Sequence, residues 1–204
     1  LISDYERAQI AEAIAEVERH TDAELVTVLT ARSDDYRYLP VLWAAACALL
    51  CSAPLVLTAL SVFDVVAIQL GLFCVLILTL RIPALARRLI PHHVGNWRAA
   101  NMARRQFLEL GLHHTDAETG VLIFVSEAER YVEILADRGV SNHVDNARWQ
   151  FIVDRFVADV KQQRILGGFV DAIGACGEIL AEAAPKTEGN RNELADRLIV
   201  IGYD

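Results

Sequence analysis

Between Tyr38 and Phe63 the chain carries no charged residue, and after Asp64 the stretch from Val65 to Leu80 carries none either. A membrane-crossing helix needs about 20 mostly apolar residues. The first run meets that length, and the second reaches it once Arg81-Ile82-Pro83 is added, because a boundary arginine snorkels toward the headgroups. Ser61-Val62-Phe63-Asp64 then reads as the tight turn of a helical hairpin, with Trp43 as an interfacial aromatic. Pro54 predicts a kink in the first helix, tolerated in lipid where neighbouring groups satisfy the freed carbonyl. Two core helices of a soluble protein would need far more surrounding chain than 204 residues to cover them on all sides. Both runs are internal, which does not suit a cleaved signal peptide.

The flanks set an orientation. Arg81, Arg87, Arg88, Arg98, Arg104 and Arg105 follow the second run, with Glu109 the one acid before Gly111, whereas the turn carries only Asp64. Positive residues close to membrane spans mark the cytoplasmic side, so both chain ends and the soluble part are expected there. Cys47, Cys51 and Cys74 lie inside the apolar runs, and four cysteines so placed make no disulfide framework. The net charge of −8 argues against nucleic acid as a partner, as do four arginines against nine acids in residues 1–37.

Outside the hairpin the pattern is that of an α/β domain. Ser3 followed by Glu6 forms a capping box, and Ile10, Ile14 and Val17 recur at helical spacing. Glu24–Thr30 is rich in β-branched residues and bounded by turn signals, so it reads as a strand. Trp97 to Leu110 predicts a basic amphipathic helix ending at Gly111. Gly120–Val125 has the continuous apolar character of a strand buried on both faces. Tyr131–Ala136 follows after a connection of hairpin length, and Trp149, Ile152, Val153, Phe156, Val157 and Val160 keep a helical rhythm. Gly167-Gly168 is expected to turn the chain into a last helix from about Phe169 to Ala183, with Gly174 and Gly177 marking close backbone approach. Leu198–Ile201 is expected to dock as an edge strand. The first two strands, joined by a helical crossover, should pair parallel, and the second and third antiparallel. The expected fold class is therefore α/β, a small mixed sheet flanked by helices and interrupted by a two-helix transmembrane hairpin. Residues 1–37 form the first part of the domain and 38–83 the hairpin. Residues 84–185 hold the basic juxtamembrane helix and the second part, and 186–204 are a polar tail.

The run from Gly120 to Ser126, the segment Ala128–Val140, the segment Trp149–Phe156 and then Gly167-Gly168-Phe169 resemble, in that order and spacing, the signature of the TPM domain family. With the leading helix and first strand, the resemblance covers residues 1–37 and about 95–185. The internal hairpin is similar to a membrane-anchored bacterial branch of the family. The resemblance implies a compact α/β/α domain, membrane-associated in many members. The family includes chloroplast proteins linked to photosystem II repair and an accessory subunit of a nematode acetylcholine receptor. It often carries a phosphatase label, and some members bind divalent cations in acidic loops. Its pattern has an acidic residue where Asp145 stands, after the glycine matched by Gly139. A second glycine of that pattern is replaced here, where Arg138 and Val140 stand.

No P-loop, nucleophile elbow, zincin motif or zinc-spaced cysteine pair occurs in the sequence. Candidate metal ligands are Asp34, Asp35, Glu127 and Asp145, acids at strand ends and helix starts whose oxygens suit Ca²⁺ or Mg²⁺. The same residues equally suit turns and helix caps. The pairs His92-His93 and His113-His114 lack further ligands to complete a tetrahedral site. The arginines from Arg81 to Arg105 suit a topology signal, and also an anionic-lipid patch. The expected function is a membrane-anchored accessory or quality-control binding domain at the inner membrane of a bacterium, with the lipid bilayer and membrane proteins as partners. The alternative is a divalent-cation-dependent acid phosphatase acting on a small-molecule substrate.

Overall fold

A computed structural model describes residues 2–82, 85, 90–115, 117–162, 164–188 and 193–203. The expected hairpin end at Pro83, Arg87 and Arg88 of the basic flank, and residues 189–192 and 204 of the tail lie outside the described residues. The chain divides into two units, one of residues 1–33 with 96–204 and one of residues 34–95.

In the first unit, helix α1 (Asp4–Glu18) starts on the expected capping box. The Ser3 N–H donates to Glu6 Oε2 at 2.7 Å, and the Glu6 N–H returns to Ser3 Oγ at 3.3 Å. Strand β1 (Glu24–Thr30) is buried along its whole length. It pairs parallel with β2 (Gly120–Ser126), with Glu24 opposite Gly120 and Thr30 opposite Ser126. Strand β3 (Tyr131–Ala136) runs antiparallel to β2, and β4 (Leu198–Ile201) adds parallel to the free side of β1. The order β3-β2-β1-β4 is the expected small mixed sheet, with the tail's apolar tetrad at one edge.

A one-turn helix, α5 (Arg138–Ser141), follows β3. Strand alternation divides the core in two. Leu25, Leu29, Val121, Ile123 and Leu198 face Ile10 and Ile14 of α1, Trp149, Ile152 and Phe156 of α6 (Asn146–Lys161), and Phe169, Ile173 and Leu180 of α7 (Ile165–Ala183). On the opposite face Val26, Val28, Leu122 and Phe124 meet Ala99 and Ala103. These two alanines belong to α4 (His92–Glu109), whose small side chains let the helix lie close to the sheet. The sheet is thus sandwiched between helices, α1, α6 and α7 on one face and α4 on the other.

Two helix boundaries differ from expectation. Helix α4 begins five residues before Trp97, at His92 just after Pro91. Helix α7 begins at Ile165, so Gly167-Gly168 lies inside its first turn rather than ahead of it. The chain reverses earlier, where the Arg164 N–H donates to Asp159 O at 3.0 Å, and the Gly168 N–H already donates to Arg164 O at 2.8 Å. The two later glycines also separate. A Cβ on Gly177 would lie 2.6 Å from Val17 Cγ2 of α1, whereas one on Gly174 would meet nothing within 4 Å. Only Gly177 marks a close approach.

In the second unit, α2 (Tyr38–Ser52) ends one residue before a 3₁₀ turn (Ala53–Leu57) that holds Pro54 near its start. Proline has no N–H to continue the α-helical ladder, so the helix stops there instead of bending. Ser61-Val62-Phe63-Asp64 is not the turn but the start of α3 (Val62–Leu80). Asp64 Oδ2 accepts the Ser61 N–H at 3.2 Å and Ser61 Oγ accepts the Asp64 N–H at 3.2 Å, a second capping box. Ala44, Ala48 and Ser52 share one buried side of α2, and Ser52 Oγ lies 3.3 Å from Gln69 Oε1 of α3. Helix α3 buries none of its residues.

The two glycines of α7 predict opposite outcomes. Gly177→Ala should destabilise the protein by about 1–3 kcal/mol through overpacking against Val17. Gly174→Ala should stabilise it by about 0.5–1 kcal/mol, the gain in helix propensity. Denaturant midpoints of the two purified variants check both.

Candidate functional site

Strands β2, β1 and β4 run in one direction, so their C-terminal ends form one rim, where open α/β sheets bind ligands. Pairing continues past the strand ends, with the Glu127 N–H donating to Thr30 O at 3.0 Å and the Ala31 N–H to Ile201 O at 3.1 Å. The turn from β2 to β3 closes through the Arg130 N–H donating to Glu127 O at 3.2 Å, with Arg130 in a left-handed conformation.

Glu129 is the central group of this rim and is only 8% exposed. The Ser33 N–H donates to both its oxygens at 3.2 Å, and the Ser126 hydroxyl donates to Oε2. Ser33 Oγ lies 2.9 Å from Ser126 Oγ, so a relay runs from the Ser33 hydroxyl through Ser126 to the carboxylate. Ser126 is fully buried. The trio fastens the segment after β1 to the β2–β3 turn. Glu127, two residues away, points to solvent and lines an open hollow of about 400 Å³ with Ile2, Glu6, Arg164, Ile165, Leu166 and Gly167. Burial, together with the neighbouring Glu127 carboxylate, holds the Tyr203 phenol well above its usual range.

The other sequence candidates have local roles. Asp145 Oδ1 accepts the Ala147 N–H at 3.1 Å and caps α6. Its helix starts at the far rim from Glu127. Arg148 reaches Glu182 of α7 at 2.7 Å, and the end of α7 meets the approach to β1, where the Asp22 N–H donates to Ala184 O. Glu127 and Asp145 therefore stand at opposite ends of the parallel strands. Asp137 is also at the far rim, its N–H donating to Gly120 O at 2.9 Å. In the second unit, Asp34 Oδ1 accepts the Tyr36 N–H at 3.2 Å, next to a left-handed Tyr36. Asp35 lies 3.3 Å from the Arg37 guanidinium. Among the described residues no three His, Cys, Asp or Glu side chains gather as a metal-ligand set.

The far rim holds a cluster that the sequence did not disclose. Glu24 Oε1 and Oε2 accept the Glu193 and Leu194 N–H groups at 3.0 and 3.1 Å. Asp22 accepts the Thr187 N–H at 3.1 Å, and Lys186 Nζ donates to Glu18 O and Thr21 O. Glu18 Oε1 accepts the Leu25 N–H at 2.9 Å beside Asp196. Burial is the main cause that pushes the Glu18 carboxyl up to about 8, and nearby Glu24 and Asp196 add to it. Burial also raises Glu24. These acids strap the tail to the α1–β1 junction and guide it into β4. The signal available in sequence was only a glutamate ending a helix and another opening a strand.

Each rim gives a prediction. Glu129→Ala leaves the Ser33 N–H and the Ser126 hydroxyl without their acceptor, so stability should fall by about 2–3 kcal/mol. Glu18 titrates higher in the folded chain than in the unfolded one. Its contribution is complete below the ordinary carboxylate range and is lost as pH rises through about 8. Stability should therefore decline by a few kcal/mol, order of magnitude, between about pH 5 and pH 9. Glu18→Gln should flatten that decline, as measured by thermal melts across the range.

Comparison with known proteins fits this architecture. The family model described as TPM domain matches residues 88–179. That span holds α4, β2, β3, α6 and most of α7, while the first helix and strand lie outside it. An NMR structure of the BA42 protein from the psychrophilic bacterium Bizionia argentinensis superposes with a TM-score of 0.61 at 19% identity. It covers 98% of this chain and 95% of its own, and it shows a shared fold. No curated protein matches the chain. Residues 88–179 thus resemble the TPM domain family, and the chain as a whole shares the fold of the BA42 protein.

Proposed function

We propose that this protein belongs to the TPM domain family, is anchored in a bilayer by α2 and α3 and works as a binding module, an accessory or quality-control factor, beside membrane complexes. The observation that carries the reading is the surface of α3. It is uncharged after Asp64, buries no residue, and is long enough to cross a membrane. At 1.5 Å per residue its 19 residues extend about 28 Å, close to a hydrocarbon core of about 30 Å. Phe63 is 80% exposed and Leu50 of α2 is 73% exposed. Each such side chain left in water forgoes about 1.5–3 kcal/mol of transfer free energy, which lipid supplies. The arginines after α3 favour a cytoplasmic domain at the inner membrane of a bacterium.

A binding role is favoured over catalysis by the use the rim makes of its acids. Glu129 accepts from the Ser33 N–H and the Ser126 hydroxyl, and Asp145 caps its helix. The competing reading, a Ca²⁺- or Mg²⁺-dependent acid phosphatase, is favoured by the hollow that Arg164 lines together with Glu6 and Glu127.

One preparation tests both. The full chain should stay with membranes through an alkaline carbonate wash, and a variant with residues 38–82 replaced by a short polar linker should not. Extraction of the full chain would overturn the anchor. In detergent, addition of Mg²⁺ or Ca²⁺ should produce no hydrolysis of p-nitrophenyl phosphate. Cation-dependent turnover lost in Glu127→Gln would replace the binding reading with the phosphatase.

A further inference from the structure

The outer face of α4 does not belong to the domain core. Ala99 and Ala103 are buried against the sheet, with Met102 packed beside them. On the opposite side Trp97, Asn101, Arg104 and Leu108 follow one another at intervals of four, three and four residues, the spacing of a single helical stripe. Trp97 is 57% exposed and Leu108 56% exposed. Arg105 flanks the stripe, its Nε 2.8 Å from Glu109 Oε1, and Arg98 lies with its guanidinium carbon 5.0 Å from the Trp97 ring centroid. Glu109 is the one acid of the helix and stands outside the stripe. The charge of Arg104 also reaches the half-buried Glu133 and Tyr131 of β3.

An amphipathic indole, an apolar leucine and the exposed Arg104 and Arg105 beside them match the boundary between headgroups and acyl chains. The ring and the leucine enter the apolar edge, and the guanidiniums meet phosphates. We infer that this face of α4 is a docking surface for anionic lipid headgroups. Charge complementarity chooses the occupant, since the chain as a whole is acidic at −8 while this helix carries Arg98, Arg104 and Arg105 against Glu109. Reach allows it. Only residues 83–91 separate Ile82 from His92, at most about 30 Å of extended chain. The inference takes the nearby bilayer from the proposed anchor, and the experiment reads the two independently.

The chain has three tryptophans, Trp43 in α2, Trp97 in α4 and Trp149 in the core at 7% exposure. The full chain is placed in nanodiscs whose phosphatidylcholine is brominated just below the headgroups, with or without phosphatidylglycerol. The bromines quench tryptophans that touch them. The difference between wild type and Trp97→Phe isolates Trp97, and the difference between wild type and Trp43→Phe isolates Trp43. Trp97 should be quenched in the anionic discs about twofold or more beyond the neutral ones, with the excess lost in Arg104→Gln/Arg105→Gln and near 0.5 M salt. Trp97 emission unquenched in anionic discs, or quenched equally in both, overturns the docking surface whatever Trp43 does. Trp43 left unquenched in both overturns the hairpin anchor, and the Trp97 result still decides the docking surface.

Discussion

The domain depends on β1 being paired on both sides. Its seven residues are buried, one face against α1 and α7 and the other against α4, and it bonds to β2 and β4 along its two edges. All four partners other than α1 come from chain that follows the apolar insertion, so the sheet is complete only when residues 1–33 are joined by residues 96–204. An insertion in the first crossover is tolerable because closing a longer loop costs little more than closing a shorter one, about 0.6 kcal/mol per doubling for a flexible chain. The parallel register from Glu24 to Thr30 is then set by the strands themselves, in which a one-residue slip would turn Leu25 and Val26 to each other's faces.

Both ends of this central strand are closed by carboxylates, and the two ends are not equivalent. Glu129 accepts from the Ser33 N–H and the Ser126 hydroxyl and serves as a fixed acceptor for both. At the other end Glu18, Glu24 and Asp196 crowd together with burial raising the first two, so that end is sensitive to proton concentration. What is fastened differs as well. Glu129 ties the strand to its immediate neighbour, whereas Glu24 and Asp22 tie it to the tail that becomes β4. The tail's polar sequence hides this, since the donors are the backbone N–H groups of Thr187, Glu193 and Leu194, which no side-chain pattern reports.

The fold was legible where periodicity was long and uninterrupted. The rhythm of Ile10, Ile14 and Val17, the run from Gly120 to Val125 and the sequence from Trp149 to Val160 each gave an element of the right type, and the connection lengths gave the right strand directions. Boundaries failed where two residues of opposite meaning stood together. Gly167-Gly168 signals a turn, yet the hydrogen bond from Gly168 to Arg164 keeps the helix going. Ser61 and Asp64 signal polarity in an apolar stretch, and polarity suits a turn as well as the cap they form. The acids were legible as candidates because they lie at element ends. Which of them is enclosed is a tertiary fact: Glu129 and Glu127 are two residues apart in the same turn, and only one of them meets Ser33 from a segment 96 positions earlier.

A fold constrains a residue only where it touches it, and α4 separates the two kinds of constraint on one helix. Its inner side needs alanine at 99 and 103, because a larger side chain would push the helix off Val28 and Phe124. On its outer side Trp97 and Leu108 take no part in the buried clusters, so packing alone would be served there by any soluble helix former. Tryptophan and leucine at 97 and 108 are poor choices for a face turned only to water. Arginine spaced among them is a poor choice for a surface that packs against apolar protein. The combination suits an environment that is apolar and anionic within a few ångströms of depth. That requirement lies outside the sheet and its core. It is therefore the part of the sequence from which the surroundings of the domain, rather than its fold, can be read.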